Sequence, residues 1–284
     1  MMSLSFEDYL GTEMLPPIHH SRNAFDRIFI ITFENTDYED VMNDPYLGVR
    51  LRQRGRLLSD YHAVTHPSQG NYFAMISGSF EGNRRDDHVD IIRPNIVDLL
   101  IKAEKSWISY QEDYPSDAGC FEGDLRPYVR KHNPFISFPH IRKDPALCSK
   151  IVNAIQLQDD IINSNVADYV FYTPNMNNDG HDTSVQYLSN YLEGFLEPLL
   201  SNQLFSKTMF VVTFDENKAY FGMIDFKRNH IYTLLIGSNC KPNSTDSTYY
   251  DHYSLLATVE QQWELGNLGE HDEHATPFNF IIHE

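Results

Sequence analysis

The chain has 284 residues, 41% hydrophobic and 13% aromatic, enough to bury the core of one large α/β domain or two small ones and too apolar for general disorder. Its 22 basic and 40 acidic residues leave a net charge of −18, a balance that repels nucleic-acid backbones and excludes nucleic acid as the expected partner. No apolar run approaches the ~20 residues that span a bilayer, so no transmembrane segment is expected.

Residues 1–26 form a lead-in, and 27–284 are expected to make a single domain. The lead-in has neither a basic n-region nor an apolar h-region, so no signal peptide is expected. Residues 27–33 are a continuous apolar run suited to a buried strand, and they lead directly into Glu34 and Asn35. Ser68 follows within Thr65-His66-Pro67-Ser68-Gln69-Gly70-Asn71-Tyr72, ahead of the apolar residues 73–76. It is placed at the start of a short helix, where a hydroxyl meets free N–H groups and the positive end of the dipole. Taken singly, Ser68 reads as a helix cap.

A helix is expected over 95–105, with Pro94 as its opening residue, and a strand over 107–110. Residues 111–148 are rich in Gly, Pro, Asp and Asn and read as a long ordered excursion, the kind of loop that usually carries function. A second helix is expected over 149–162, then a strand over 167–172 that ends at Thr173-Pro174-Asn175. Asn178-Asp179-Gly180-His181-Asp182 follow at once. Residues 184–200 place Tyr187, Tyr191, Phe195 and Leu199 at helical spacing. Residues 209–214 are a strand that runs into Asp215 and Glu216, 231–236 are another, 241–250 a polar loop, and 252–265 a last helix. This alternation predicts a mostly parallel sheet with helices on both faces.

In such sheets the site lies beyond the carboxyl ends of the strands. Three strand ends here carry carboxylates. Glu34, Asn35, Asp215 and Glu216 supply hard oxygen donors suited to Mg²⁺, Ca²⁺ or Mn²⁺, or to zinc if a histidine joins. A serine beside such a metal loses its proton readily and becomes a nucleophile toward phosphorus. Asn71 is a candidate donor to a phosphate oxygen, and His132 and His181 are candidates to bind equatorial oxygens or protonate a leaving alkoxide. His252 reads equally as a ligand or as packing at its helix start. His271, Asp272 and His274 imitate metal spacing, with a solvated acidic tail as the favoured reading. Arg84, Arg85, Arg126 and Lys131 are candidates to meet a charged leaving group, although for each a solvated surface role is favoured. No nucleotide-binding glycine loop, G-x-S-x-G elbow or C-x-x-C motif is present. On composition, Cys120 and Cys148 either pair, leaving Cys240 free, or all three thiols stay reduced.

Phe33-Glu34-Asn35, His66-Pro67-Ser68 with Asn71-Tyr72, Lys131-His132-Asn133-Pro134-Phe135, Pro174-Asn175 with Asn178 to Asp182, Thr213-Phe214-Asp215-Glu216 and His252-Tyr253-Ser254-Leu255-Leu256 occur in that order. Together they resemble the acid phosphatase and phospholipase C phosphoesterase family of the alkaline phosphatase superfamily, from about residue 27 to about 265. The resemblance implies a three-layer α/β/α fold and hydrolysis of small phosphate esters through a phosphoserine at Ser68. It implies Glu34, Asn35, Asp215 and Glu216 as metal ligands, His132 and His181 as phosphate-binding or leaving-group residues, and Asn71 and Asp179 as further substrate-binding residues. Better-known superfamily members use two metals; the shortage of histidine ligands here points to one. The family is mostly exported, which a Cys120–Cys148 bridge flanking His132 would suit.

Phosphomonoester hydrolysis is the leading expectation. The alternatives are phospholipase C-like diester cleavage on the same machinery and, from another class, a non-catalytic binding protein with this fold. A sulfatase is disfavoured because Gln69 and Gly70 follow Ser68 where Pro and Arg would be expected. Substrate range is assigned to loops 79–92, 111–148 and 218–230.

Overall fold

The structure is a computed structural model describing residues 24–218, 229–237 and 239–280. Residues 1–23 of the lead-in and 219–228 of the third substrate loop lie outside the described residues. Eight strands form one sheet: β1 Arg27–Phe33, β2 Arg56–His62, β3 Trp107–Gln111, β4 Ile151–Asn153, β5 Tyr169–Thr173, β6 Thr208–Phe214, β7 Thr233–Gly237 and β8 Ser244–Asp251. Their order is β4-β3-β5-β1-β6-β7-β2-β8. All pairings are parallel except those of β7, which runs antiparallel to β6 and β2. The helices are α1 Tyr38–Met42, α2 Gln69–Ser77, α3 Ile96–Lys102, α4 Pro139–Arg142, α5 Pro145–Cys148, α6 Gln156–Ile162, α7 Val185–Ser201 and α8 His252–Gln262. This is the α/β fold that the alternation of strands and helices predicts. Among the described residues no helix is long and apolar enough to cross a membrane.

The centre of the sheet positions the site. β1 lies between β5 and β6, and every residue of β5 and β6 is buried, so side chains on both faces enter the core. Burying each large apolar side chain contributes roughly 1.5–3 kcal/mol, which holds these three strand ends in register. Phe33 pairs with Phe214, so the next residue on each strand, Glu34 and Asp215, emerges at the same level of the sheet.

The strands expected from apolar runs all form. Three others do not announce themselves. β8 lies where the loop 241–250 was expected: Ser244, Thr245, Asp246 and Ser247 belong to an edge strand in which only Asp246 and Tyr250 are buried, so no continuous apolar run marks it. The helix expected over 149–162 begins at Gln156, because the β-branched pair Ile151 and Val152 is buried in β4 beside β3. Ile155, within the expected helix, is exposed. α3 is capped by Asn95, which exchanges backbone and side-chain hydrogen bonds with Asp98, so Pro94 lies before the cap. β2 pairs in parallel with β8, and its mixed sequence, Arg-Leu-Leu-Ser-Asp-Tyr-His, conceals it.

Candidate active site

Glu34 leaves β1 at its carboxyl end and is fully buried. Its backbone N–H donates to the Asp179 carbonyl at 3.0 Å, and the Asp215 N–H donates to the Phe33 carbonyl at 2.9 Å, so the three strand ends are tied together. Asn35 turns the chain with φ of 42°, a left-handed conformation that Asn tolerates better than most residues. In that turn its N–H donates to Asp215 Oδ1 at 3.2 Å and its side-chain amide to Glu34 Oε2 at 3.2 Å. Local strain of this kind commonly accompanies function.

Ser68 sits at the head of α2, a fully buried helix. Its hydroxyl makes no capping bond. Instead it donates within reach of two carboxylates, Glu34 Oε2 at 3.1 Å and Glu216 Oε1 at 3.2 Å. Lys131 Nζ donates to the same hydroxyl oxygen at 3.3 Å and to Asp86 Oδ2 at 3.2 Å. The cap is supplied by Asp86, whose Oδ1 accepts from the Gln69 N–H at 3.1 Å. Asn71 holds the loop that precedes Ser68: its Oδ1 accepts from the N–H groups of Val64 and Thr65, and its amide donates to the Thr65 carbonyl. These bonds brace the loop that carries the serine. His66 lies against Glu216 Oε2.

His132 is brought in by the 111–148 excursion and is buried. Its Nε2 is 2.8 Å from Glu34 Oε1 and its Nδ1 is 3.3 Å from Asp179 Oδ2. Both ring nitrogens therefore face carboxylates, which places His132 directly beside Glu34 and Asp179. Burial alone would lower the imidazole pKa, but the Glu34 charge and the hydrogen bonds to Asp179 and Glu34 outweigh it and raise it to about 9. Burial opposes ionisation of Glu34 too, and the His132 charge more than offsets it, holding Glu34 well below the carboxylate range. Tyr72 adds a hydroxyl donor to Glu34 Oε1 at 3.2 Å.

Asp215 and Glu216 are pushed the other way. Burial, then the charges of Glu34 and Glu216, drive the Asp215 carboxyl well above its ordinary value; burial is also the main cause at Glu216. Asp215 Oδ2 is buried and has no hydrogen-bond partner among the described residues. Three buried carboxylates with one such oxygen form a set that a divalent cation would neutralise, so the donors fit a metal of the hard type. Among the described residues no three His, Cys, Asp or Glu side chains converge into a ready-made cage, and the fit rests on the chemistry of the donors.

His181 belongs to the loop after β5. Its N–H donates to Asp179 Oδ1, and its Nδ1 lies 2.8 Å from Asp182 Oδ1. Together with Lys131 and Asp86 it lines a cavity of about 230 Å³. His252 is buried and lies 2.7 Å, through Nε2, from the Asp215 carbonyl; burial lowers its pKa to about 4, so it is a neutral N–H donor that fixes the 215–216 turn. Asp272, expected in a solvated tail, is buried and accepts from the N–H groups of Leu268 and Glu270. Arg126 also lines the cavity beside Lys131, whereas Arg84 and Arg85 line a different one. Cys120 and Cys148 are disulfide-bonded, and Cys240 is a buried free thiol.

Sequence reasoning undervalued Lys131 and missed Asp86 and His66. The adjacency of Lys131 to His132 was the available signal; Asp86 lies in a loop with none.

Residues 43–266 match the model of the phosphoesterase family. The chain is 38% identical over 275 residues to a probable acid phosphatase of Kluyveromyces lactis, covering 91% of this chain and 63% of that protein. It is 37% identical over 261 residues to a phosphate-repressible acid phosphatase of Penicillium chrysogenum, covering 88% and 61%. It thus spans less than two thirds of the length of these relatives. A crystal structure of an alkaline phosphatase superfamily protein from Vibrio parahaemolyticus shares the fold with a TM-score of 0.60 at 14% identity, over 87% of this chain and 69% of that one. With the family model spanning most of its length, and with the motif residues gathered at three neighbouring strand ends, the chain belongs to the phosphoesterase family.

Proposed function

We propose that this protein hydrolyses phosphomonoesters through a phosphoserine at Ser68. The observation that carries the reading is the Ser68 hydroxyl itself, which ignores its helix and lies between two carboxylates and an ammonium. Family membership and the acid phosphatase relatives support the same reaction class.

In the first half-reaction Ser68 Oγ attacks phosphorus, a bond forms from Oγ to phosphorus, and the bond from phosphorus to the ester oxygen breaks. The serine proton passes toward Glu216 Oε1, which the hydroxyl already faces and whose proton affinity burial raises. Lys131 places a fixed positive charge on the attacking oxygen and the adjacent phosphoryl group. Asp86 holds that ammonium and the first turn of α2 together. His181, on the wall of the neighbouring cavity, protonates the departing alkoxide. Water then cleaves the phosphoserine and restores Ser68, releasing phosphate. His132 keeps Glu34 ionised and oriented, and Asp179 anchors His132.

Glu34, Asn35, Asp215 and Glu216 would hold one divalent ion, of the Mg²⁺, Ca²⁺, Mn²⁺ or Zn²⁺ class. Such an ion supplies charge neutralisation and a lower proton affinity at a neighbouring hydroxyl.

The test is hydrolysis of a chromogenic phosphomonoester by the wild-type chain and by Ser68→Ala, each with and without chelator. Activity that is lost in the variant and suppressed by chelator supports the reading. Undiminished activity in Ser68→Ala overturns the nucleophile, and chelator-insensitive activity overturns the metal.

A further inference from the structure

The 79–92 loop and the 111–148 excursion meet beside the head of α2, and the 230 Å³ cavity lies between them. Asp86, His88, Asp124, Arg126, Lys131 and His181 line it, with Val129 and Met176 as its apolar part. It adjoins the nucleophile directly: Lys131 Nζ contacts Ser68 Oγ, and Asp86 contacts the next residue's N–H.

Two properties of this wall restrict what it can receive. The first is size. Pockets for drug-sized ligands run from about 300 to 1,000 Å³. A cavity of about 230 Å³ is below that range and matches a compact group. The second is charge. Every basic group faces an acid: Lys131 with Asp86 at 3.2 Å, Arg126 with Asp182 at 2.7 Å, His88 with Asp124 at 3.6 Å, and His181 with Asp182 at 2.8 Å. A wall neutralised in this way has no surplus cation for a second phosphate, and the chain's net charge of −18 disfavours one further. What it does offer is an alternation of donors and acceptors around a small apolar surface. Hydroxyl groups, which both donate and accept, match that alternation, and a C–H face matches Val129 and Met176.

We propose that this cavity is the leaving-group subsite, and that it takes a compact, neutral, polyhydroxylated alcohol such as a polyol or monosaccharide. The proposal rests on the phosphomonoesterase reading above and specifies its substrate class.

The test compares kcat/KM for a monosaccharide monophosphate, the corresponding bisphosphate and hexyl phosphate, in the wild type, Arg126→Met and Asp124→Asn. The expected result is a preference for the monosaccharide monophosphate over both others of at least about tenfold, reflecting hydroxyl groups paired at the wall. The sugar-to-hexyl ratio should fall at least about threefold in each variant, as one donor or acceptor is removed. Equal or better turnover of hexyl phosphate or the bisphosphate overturns the subsite, and so does a ratio unchanged in both variants. If no monoester is turned over at all, the phosphomonoesterase reading itself falls. Turnover of all three without rank removes the subsite alone.

Discussion

The hydroxyl of Ser68 reaches two carboxylates and an ammonium, so substitutions around it separate chemistry from folding. Ser68→Ala removes the attacking atom and a hydroxyl with no capping duty; activity should fall at least about 10³-fold with the thermal midpoint nearly unmoved. Lys131→Met removes the charge beside Oγ and should lower kcat/KM by about 10- to 100-fold, the scale seen when one electrostatic donor is lost. Lys131→Arg should recover part of that loss, since it retains the charge. Equal losses in the Met and Arg variants would contradict the role assigned to the Lys131 charge.

At the scale of elements, the loop after β5 depends on Gly180. Its φ is 98°, and a Cβ there would lie 2.5 Å from Leu188 Cδ2 of α7. Gly180→Ala must therefore strain the backbone at that positive φ and push the Leu188 side chain aside, at about 1–3 kcal/mol. It should lower both thermal midpoint and activity, because Asp179 and His181 flank the position. An unchanged midpoint would contradict the account. The site was legible in sequence where apolar strands ended in acids: Glu34 after β1, Asp215 and Glu216 after β6, and Asp179 beyond β5. Those runs are visible because central strands are buried on both faces. Edge strand β8 and short β4 were not legible, since neither bears a long apolar run. Nor were the long-range partners. Asp86 reaches Lys131 across 45 residues, and no local pattern encodes a contact that depends on how two loops meet.

Across the molecule, the Cys120–Cys148 bridge closes the segment that carries Lys131 and His132, with a sequence separation of 28. On the chain-entropy model such a loop contributes about 3–4 kcal/mol by restricting the unfolded chain. Cys148→Ser should lower the denaturant midpoint accordingly, and an unaltered midpoint would contradict this.

Glu260 of α8 predicts a pH dependence. Burial, and then the Asp272 charge, push its carboxyl from 4.5 up to about 9. A folded pKa raised above the unfolded one gives stability that is present below about pH 4.5 and lost as pH rises through 9. Melting curves of Glu260→Gln should flatten that decline; a slope identical to wild type would show that the pair carries no such linkage.

The central claim, attack by Ser68 with a covalent phosphoserine, is tested most directly by the stereochemistry at phosphorus. The measurement is transfer of an isotopically chiral phosphoryl group from a monoester to an acceptor alcohol. Two successive in-line displacements predict retention of configuration. Inversion would mean a single direct displacement, and would contradict the phosphoserine.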